Sequence, residues 1–434
     1  MMRILFSILL IGLLSSPTLA QATASKTDEI SGNWIFSVQF PEDTETHRTS
    51  LQVADNKFTG SIGPRKIEGS ISNSVVTIKI LNPSGVQIAT GTGKLQEGIL
   101  KGEGDLGGAK FKWSARRPAV RPEGGPRTHT FTPTEFHRAF THTIPPVLRI
   151  FPGDTVKTKS VDAGGMDENS VRRSMGGNPV TGPFFIEGAM PGDTLVVKLN
   201  SIRTNRDWAG SGQNIVGNAL EPGYLMNLKR AQGFNSRWKL DKEKGIAYLE
   251  QPTDPLKNLT IPLQPMLGCV GVAPPAGFVI RTWDSGVFGG NMDYNQIREG
   301  TTVYLPVFYE GALLFLGDGH AAQGAGELTG DALETSMAFE FTVDVISGKS
   351  IGTPRAENAE YLMSIGIGGS LDQALQRATT DLARWLEGDY KLNSTEAAIV
   401  MGFAVQYDVA DLVGTQVSIV AKIPKTTLAQ LKMN

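Results

Sequence analysis

A Pro-Gly-Asp turn occurs twice in the chain, in PPVLRIFPGDTV at residues 145–156 and in FIEGAMPGDTL at residues 185–195. A looser third copy, REGTTVYL at residues 298–305, keeps the glycine and the alternating run that follows it. Because proline fixes φ and glycine supplies a positive φ, each copy predicts a tight turn that begins a β-strand. The copies are spaced too irregularly for a solenoid and indicate recurring turn chemistry in a β scaffold.

The composition agrees with a mainly β protein and excludes several classes of function. Glycine accounts for 50 of the 434 residues, well above the roughly 7% average, which is typical of turn-rich chains. The formal net charge is −2 and no basic run occurs, which argues against a nucleic-acid partner. One cysteine and five histidines exclude an intrachain disulfide and a cysteine-rich zinc module. Any catalytic site must therefore rest mainly on carboxylates, backbone amides and very few imidazoles.

Residues 1–24 have the pattern of a secretory signal peptide. Arg3 gives the N-terminal region a positive charge, residues 4–14 form the apolar region, and small residues before Gln21 form a cleavage site. The run is shorter than the roughly 20 residues that a membrane span needs, and an uncleaved anchor is the alternative. We expect an exported protein, periplasmic or secreted, with no stable membrane span after cleavage.

The rest of the chain divides into a small and a large domain. Residues 28–117 predict a small antiparallel β domain, because short alternating runs are separated by glycines. We expect these glycines to lie in turns between strands: Gly60, Gly63, Gly69, Gly91, Gly93, Gly102 and Gly104. Residues 118–127 are rich in proline, glycine and arginine and predict a linker, which leaves residues 128–430 as the main domain.

The C-terminal part of the main domain predicts helices. Ser370 begins a capping box, and apolar residues follow at three- and four-residue spacing as far as Gly388. A second helix is expected to begin at Asn393, and residues 416–423 predict a terminal strand. Together these elements predict an α/β layer on the β core.

The strongest candidate site follows the apolar run at residues 311–316. Asp318 and His320 are two residues apart, so in an extended strand their side chains face the same side. Asp293 and Glu327 lie in neighbouring glycine-rich loops and are expected to join them. Carboxylates with one imidazole are suitable ligands for a divalent metal. The alternative is that Asp318 caps a glycine turn and His320 satisfies a buried backbone group.

Other chemistry-bearing residues have less specific settings. Glu187 lies in an apolar run, where an unpaired carboxylate has a raised pKa that suits acid–base chemistry, and a structural salt bridge is the alternative. Asp162 carries the same ambiguity. Cys269 is either a nucleophile activated by His320 or, as its apolar and glycine-flanked setting favours, part of the core. His142 either reaches the site or anchors its loop.

Four segments together resemble the acetamidase/formamidase family: NPVTGPFFIEGAMPGDTL at 178–195, GGNMD at 289–293, VYLPV at 303–307 and GDGHAAQGAGE at 317–327. The resemblance covers roughly residues 128–430 and implies a mainly β fold, a β-rich core with a C-terminal α/β portion. It also implies hydrolysis of the C–N bond of small linear amides to ammonia and a carboxylate, a divalent metal ion such as zinc or calcium, and a homo-oligomer.

The resemblance also implies roles for individual residues. It assigns catalysis to Glu187, Glu327 and His320, substrate contacts to Asn178 and Gln323, and metal ligation to Asp293, Asp318 and His320. The chain departs from the family at Ala325, where the usual residue is an aspartate. This departure and the added N-terminal domain motivate a second hypothesis, an exported binding protein that keeps the scaffold without catalysis.

Overall fold

The structure is a computed structural model that describes residues 30–40, 44–72, 74–229 and 233–432. It is mainly β, which confirms the predicted fold class. No helix in these ranges is both long enough and apolar enough to cross a membrane. The predicted signal peptide at residues 1–24 lies outside the described residues.

The first eight strands form a closed barrel in which each strand pairs with the next. They are β1 (Gly32–Gln39), β2 (Thr44–Ala54), β3 (Lys57–Ile62), β4 (Arg65–Ser72), β5 (Val75–Leu81), β6 (Gln87–Gln96), β7 (Ile99–Leu106) and β8 (Ala109–Arg116). The pairs from β2 to β8 are antiparallel. An up-and-down barrel of this kind leaves no strand edge unpaired.

The expectation that the glycines of this barrel lie in turns is wrong for most of them. Of the seven, Gly63 lies in a turn and the other six lie inside strands β3, β4, β6 and β7. A Cβ on Gly104 would lie 2.1 Å from Cζ of Phe111, and one on Gly69 would lie 2.1 Å from Cζ of Phe58. These two glycines therefore make room for aromatic rings that the barrel buries.

A nine-stranded sheet forms the larger layer of the main domain. In spatial order its strands are β28 (Gln406–Asp411), β29 (Val417–Pro424), β27 (Tyr361–Gly368), β26 (Arg355–Glu357), β23 (Thr302–Pro306), β14 (Thr194–Thr204), β25 (Met337–Ile346), β12 (Thr155–Ser160) and β9 (Thr128–Thr130). The central strands alternate buried and partly exposed residues, as expected of a sheet with one face on the core.

A six-stranded sheet forms the second layer. Its strands, in spatial order, are β11 (Leu148–Ile150), β13 (Val180–Ile186), β24 (Leu314–His320), β19 (Met266–Gly271), β22 (Gly289–Asn291) and β21 (Ser285–Gly286). Every residue of β13, β19 and β24 is buried, so these strands are covered on both faces. One apolar core joins residues of this sheet to residues of the nine-stranded sheet.

Two smaller sheets complete the β structure. One has four strands, β15 (Trp208–Gly210), β16 (Arg237–Asp241), β17 (Ile246–Leu249) and β18 (Ile261–Pro262). The other pairs β10 (Ala139–Phe140) with β20 (Ile280–Arg281).

The helices are α1 (Pro222–Asn227), α2 (Leu371–Asp389), α3 (Ser394–Ala404) and α4 (Lys425–Leu428). The two long helices begin where the sequence predicts. Ser370 caps α2 by accepting a hydrogen bond from Gln373 N–H, and Asn393 forms a capping box with Glu396 at the start of α3. The predicted terminal strand corresponds to β29, and an apolar cluster joins it to α2 and α3.

The three repeated turns begin strands β12, β14 and β23 of the nine-stranded sheet. In the first turn, Gly153 N–H donates to Val343 O, and Val343 N–H donates back to Asp154 O. The equivalent pairs are Gly192 and Asp193 with Val307, and Gly300 and Thr301 with Leu199. The predicted turn chemistry is therefore confirmed, and it fixes the register in which each strand enters the sheet.

The first turn also holds a buried carboxylate with several donors. Arg121 and the Arg127 N–H donate to Asp154 Oδ1 at 2.7 and 2.8 Å, and the Phe151 N–H donates to Oδ2 at 3.0 Å. His129 Nε2 lies 3.1 Å from Oδ2. Burial by itself raises the pKa of Asp154, but these donors outweigh it and lower the pKa to about 2.

We expect Asp154→Asn to lower the free energy of unfolding by about 2 kcal/mol at pH 7, because the folded state stabilises the ionised carboxylate of Asp154 relative to the unfolded chain. The folded pKa lies below the ordinary value of 3.8, so this contribution is present above about pH 4 and is lost as pH falls toward 2. Urea unfolding at pH 7 and pH 3 measures it. Glu387→Gln, at an exposed carboxylate on α2, is the control. A variant as stable as wild type at pH 7 would contradict this assignment.

Candidate functional site

Four neighbouring strands of the six-stranded sheet bring the predicted site residues to one place. β24 runs antiparallel to both β13 and β19, so its end lies beside their beginnings. Asp318 and His320 belong to the end of β24, and His320 lies opposite Met266 at the start of β19. Asn178 precedes β13, and Asp293 follows β22.

Four carboxylates surround His320 in this region. Its Nε2 lies 3.1 Å from Glu334 Oε1, 3.5 Å from Asp318 Oδ2 and 3.9 Å from Asp293 Oδ1. A carboxylate oxygen of Glu327 lies within 4.8 Å of ligand atoms of Asp293 and His320. We call these five residues the carboxylate–histidine cluster. The structure therefore brings together Asp293, Asp318, His320 and Glu327, as the sequence predicts.

The backbone at these positions is unusual. Asn178, Asp293, Asp318 and Glu327 have φ angles of 54°, 40°, 57° and 45°, in the left-handed region. Asn and Asp enter this region more readily than most residues, but several such residues at one site indicate a constrained backbone. The expectation that Asp318 and His320 share one face of an extended strand is wrong in its premise, because the backbone of Asp318 is left-handed and not extended. The two side chains meet although the alternation is interrupted.

Gly268 of β19 makes the close approach of the carboxylates possible. A Cβ at this position would lie 2.2 Å from Asp293 Oδ1 and 2.7 Å from Asp318 Oδ2. Any side chain here would displace both carboxylates. Nothing in the sequence distinguishes Gly268 from the other glycines of the chain.

Side-chain amides orient the cluster. Asn178 Nδ2 donates to Asp318 Oδ2 at 3.0 Å and to Asn291 Oδ1 at 3.2 Å, and Asn291 in turn donates to Asp293 Oδ2. His320 Nδ1 lies 2.8 Å from Gln323 Oε1. Because an amide oxygen only accepts, Nδ1 carries the proton, and the Nε2 of a neutral ring is left with its lone pair. Asn178 and Gln323, predicted as substrate contacts, thus contact cluster residues.

Three buried carboxylate oxygens of the cluster have no hydrogen-bond partner: Asp293 Oδ1, Asp318 Oδ1 and Glu334 Oε2. Buried polar atoms are normally paired, so unpaired acceptors that converge indicate room for a cation. Two sets, Asp293 with His320 and Glu327, and Asp318 with His320 and Glu334, place their ligand atoms within 4.8 Å of one another. The residues present therefore fit a divalent metal ion.

The pKa shifts within the cluster also favour a bound cation. Burial, with the charges of Glu327 and Asp318, raises the pKa of Asp293 well above its usual value. Burial raises the pKa of Glu334 to about 7, although His320 opposes the shift. Burial by itself lowers the pKa of His320, but Glu334 and Asp318 outweigh it and the pKa is raised. Neighbouring acids thus add to the effect of burial on the pKa values of Asp293 and Glu334, and a bound cation would relieve this repulsion.

Glu187 is not part of the cluster. It follows β13 at the end opposite Asn178, about 20 Å along the strand, and Arg149 Nε donates to its Oε1 at 2.6 Å. The expectation that Glu187 acts beside His320 is therefore corrected in favour of the salt-bridge alternative. Asp162 likewise pairs with the buried Arg206 at 2.6 Å.

Cys269 is fully buried and points to Asn291. Its thiol donates to Asn291 Oδ1 at 2.8 Å and to Thr282 O at 3.2 Å. Burial, with the charge of Asp318, raises the pKa of the thiol well above its usual value, whereas a nucleophilic cysteine needs a lowered pKa. This geometry favours the core-packing alternative.

Two cluster contacts escape the sequence-based prediction. Glu334 lies beyond the glycine-rich loop, at a bridge that pairs it with His320, and an acidic residue shortly before β25 is its weak signal. Asn291 lies within the quoted GGNMD segment but has no charge to draw attention to it. By contrast, Ala325 is exposed, so the departure at this position removes no group from the cluster.

A pocket of about 560 Å³ leads to the cluster. Its lining includes Asn178, Asn291, Glu327 and Glu334, with Trp208 and Trp283 on its sides. A small molecule that enters here meets the carboxylates of Glu327 and Glu334.

Fold and site together define a β-rich protein with a buried centre of carboxylates around one imidazole. The chain belongs to the Acetamidase/Formamidase family, whose family model matches residues 127–286 and 276–407. This confirms the resemblance drawn from the four sequence segments.

Individual relatives agree with this membership. An acetamidase of Mycolicibacterium smegmatis is 25% identical over 217 residues, which cover 39% of this chain and 53% of the relative, about half its length. The crystal structure of an acetamidase from Yersinia enterocolitica is 29% identical with a TM-score of 0.61, covering 72% of this chain and 96% of that one. A predicted acetamidase/formamidase from Thermoanaerobacter tengcongensis is 27% identical with a TM-score of 0.59, covering 71% and 100%.

We expect Cys269 of the native protein to resist alkylation by iodoacetamide at pH 8, because burial keeps the thiol both inaccessible and protonated. Intact mass spectrometry should show one adduct only after denaturation in urea. Rapid modification of the native protein, accompanied by loss of function, would instead support the nucleophile hypothesis.

Proposed function

We propose that this chain is an exported hydrolase that cleaves the C–N bond of a linear, non-peptide carboxamide, releasing ammonia and a carboxylate. The observation that carries the proposal is the convergence of Asp293, Asp318, His320, Glu327 and Glu334, with unpaired buried acceptors, in a chain of this family. Glu327 and Glu334 of this cluster line the pocket, together with Asp331 and with Asp162, which is paired with Arg206.

A divalent metal ion belongs to the proposal. Asp293, Asp318 and His320 would hold it, joined by Glu327 or Glu334. Zinc suits this mixed set of carboxylate oxygens and an imidazole better than calcium, which takes six to eight oxygen ligands. When bound, the ion supplies positive charge that polarises the amide carbonyl.

The residues of the chain supply orientation and proton transfer. Glu334 lines the pocket and its Oε1 lies 3.1 Å from His320 Nε2, so it is placed to take a proton from the attacking water and to give it to the departing nitrogen. Glu327, which also lines the pocket and has a carboxylate oxygen within 4.8 Å of His320, is the second candidate for this role. The water oxygen bonds to the carbonyl carbon, the C–N bond breaks, and the nitrogen leaves as ammonia. Gln323 accepts a hydrogen bond from His320 Nδ1, and Asn178 donates one to Asp318. The imidazole ring and the Asp318 carboxylate are therefore already oriented before the reaction.

Export and self-association complete the proposal. Export rests on the signal-peptide pattern of residues 1–24, and a homo-oligomer rests on the resemblance to the family.

We expect His320→Ala to lower ammonia release by at least a hundredfold, because a ring nitrogen lies within 4.8 Å of a carboxylate oxygen of each acid in the cluster. The measurement is a coupled ammonia assay on a panel of linear amides, with His47→Ala in the N-terminal barrel as the control. Undiminished turnover in a folded His320→Ala protein would refute the proposal. Zinc binding without turnover of any amide by the wild-type protein would favour the non-catalytic binding hypothesis.

Gly268→Ala tests the cluster without removing a ligand. The added methyl group would displace Asp293 and Asp318, so zinc affinity should fall roughly 10–100-fold. Competition with a chromophoric chelator measures this affinity. Gly388→Ala, at a position on α2 where a Cβ meets nothing within 4 Å, is the matched control. Equal zinc affinity in the wild type and in Gly268→Ala would show that the metal binds elsewhere.

A further inference from the structure

A second pocket, of about 540 Å³, lies beside the cluster against the four-stranded sheet. Its walls are mainly apolar and include Phe234, Trp238, Leu256, Leu259, Ile261 and Leu333. Among the described residues that line it, Glu327 is the one that can carry a charge. The site proposed above does not use this pocket.

The two pockets meet at the cluster. Glu327 and Ser211 line both of them. Gln323, which holds His320, lines the apolar pocket, and so does Ala332, whose N–H donates to Glu327 Oε1 at 3.0 Å. A molecule that fills the apolar pocket therefore has one end beside the reacting groups.

The size and chemistry of the second pocket restrict its occupant. Pockets of about 300–1,000 Å³ typically hold drug-sized ligands, and an amide with a handful of heavy atoms would leave most of this one unfilled. Away from Glu327, a charged substituent would lose its hydration without finding an opposite charge on the described walls, whereas an apolar group gains from burial.

We propose that the substrate is a primary carboxamide with a large apolar acyl group, aryl or branched alkyl, which occupies this pocket while the carboxamide reaches the cluster past Glu327. The inference rests on the proposed amide hydrolysis and names its substrate class. Formamide and acetamide, which leave the pocket empty, are poor substrates of this chain.

Phenylacetamide and acetamide test the inference as a pair of probes. We expect kcat/KM for phenylacetamide to exceed that for acetamide at least tenfold, because each apolar group that fits such a pocket contributes roughly 10- to 200-fold in discrimination. Leu259→Ser should lower the phenylacetamide-to-acetamide ratio about tenfold. Leu375→Ser on α2 is the matched control, since the two leucines are 39% and 41% exposed and Leu375 lies outside the pocket. An unchanged ratio in Leu259→Ser, or faster turnover of acetamide, overturns the inference and leaves the amidase proposal standing.

Calorimetry separates the two proposals if no amide releases ammonia. That result would overturn the proposed hydrolysis. Phenylacetamide that binds the wild-type protein, and binds Leu259→Ser about tenfold more weakly, would still assign the pocket to an apolar carboxamide. Absent binding, or equal binding to both proteins, would overturn the pocket assignment as well.

Discussion

The cost of burying four carboxylates around a single imidazole is the constraint on which the rest of the site depends. Burial raises the pKa of Asp293 and of Glu334, and the charge of the neighbouring Asp318 raises both further. One histidine does not compensate for them. The arrangement persists because surrounding strands hold each group in place, and it becomes favourable only when protons or a cation neutralise it.

The sheet meets this constraint through backbone geometry and space. Left-handed φ angles at Asp293, Asp318 and Glu327 turn their carboxylates toward one point, and the missing side chain of Gly268 leaves the volume in which they meet. Such strain persists only where the surrounding structure over-determines it. The fully buried strands β13, β19 and β24 provide that rigidity, since every residue in them is packed.

Local chemistry determined what the sequence could predict. The helix starts at Ser370 and Asn393 and the Pro-Gly-Asp turns depend on neighbours a few residues away, and the structure confirms them. The sequence also predicts that the side chains of Asp318 and His320 lie close together, although that prediction assumes an extended backbone at Asp318, which the structure does not have. Contacts between distant parts of the chain could not be predicted in this way. Gly104 makes room for the ring of Phe111 and does not form a turn. The salt bridge of Glu187 depends on Arg149, which lies in another strand.

The exposure of Ala325 bears on whether the scaffold has kept its chemistry. An aspartate there would face solvent, so its absence leaves all five members of the cluster in place. A protein that binds only an uncharged ligand has no use for unpaired buried carboxylates, because replacing them with apolar residues of similar volume costs little or stabilises. This unfavourable cluster, at the meeting point of two pockets, therefore favours a site that holds a cation or moves protons over one that binds an uncharged ligand alone.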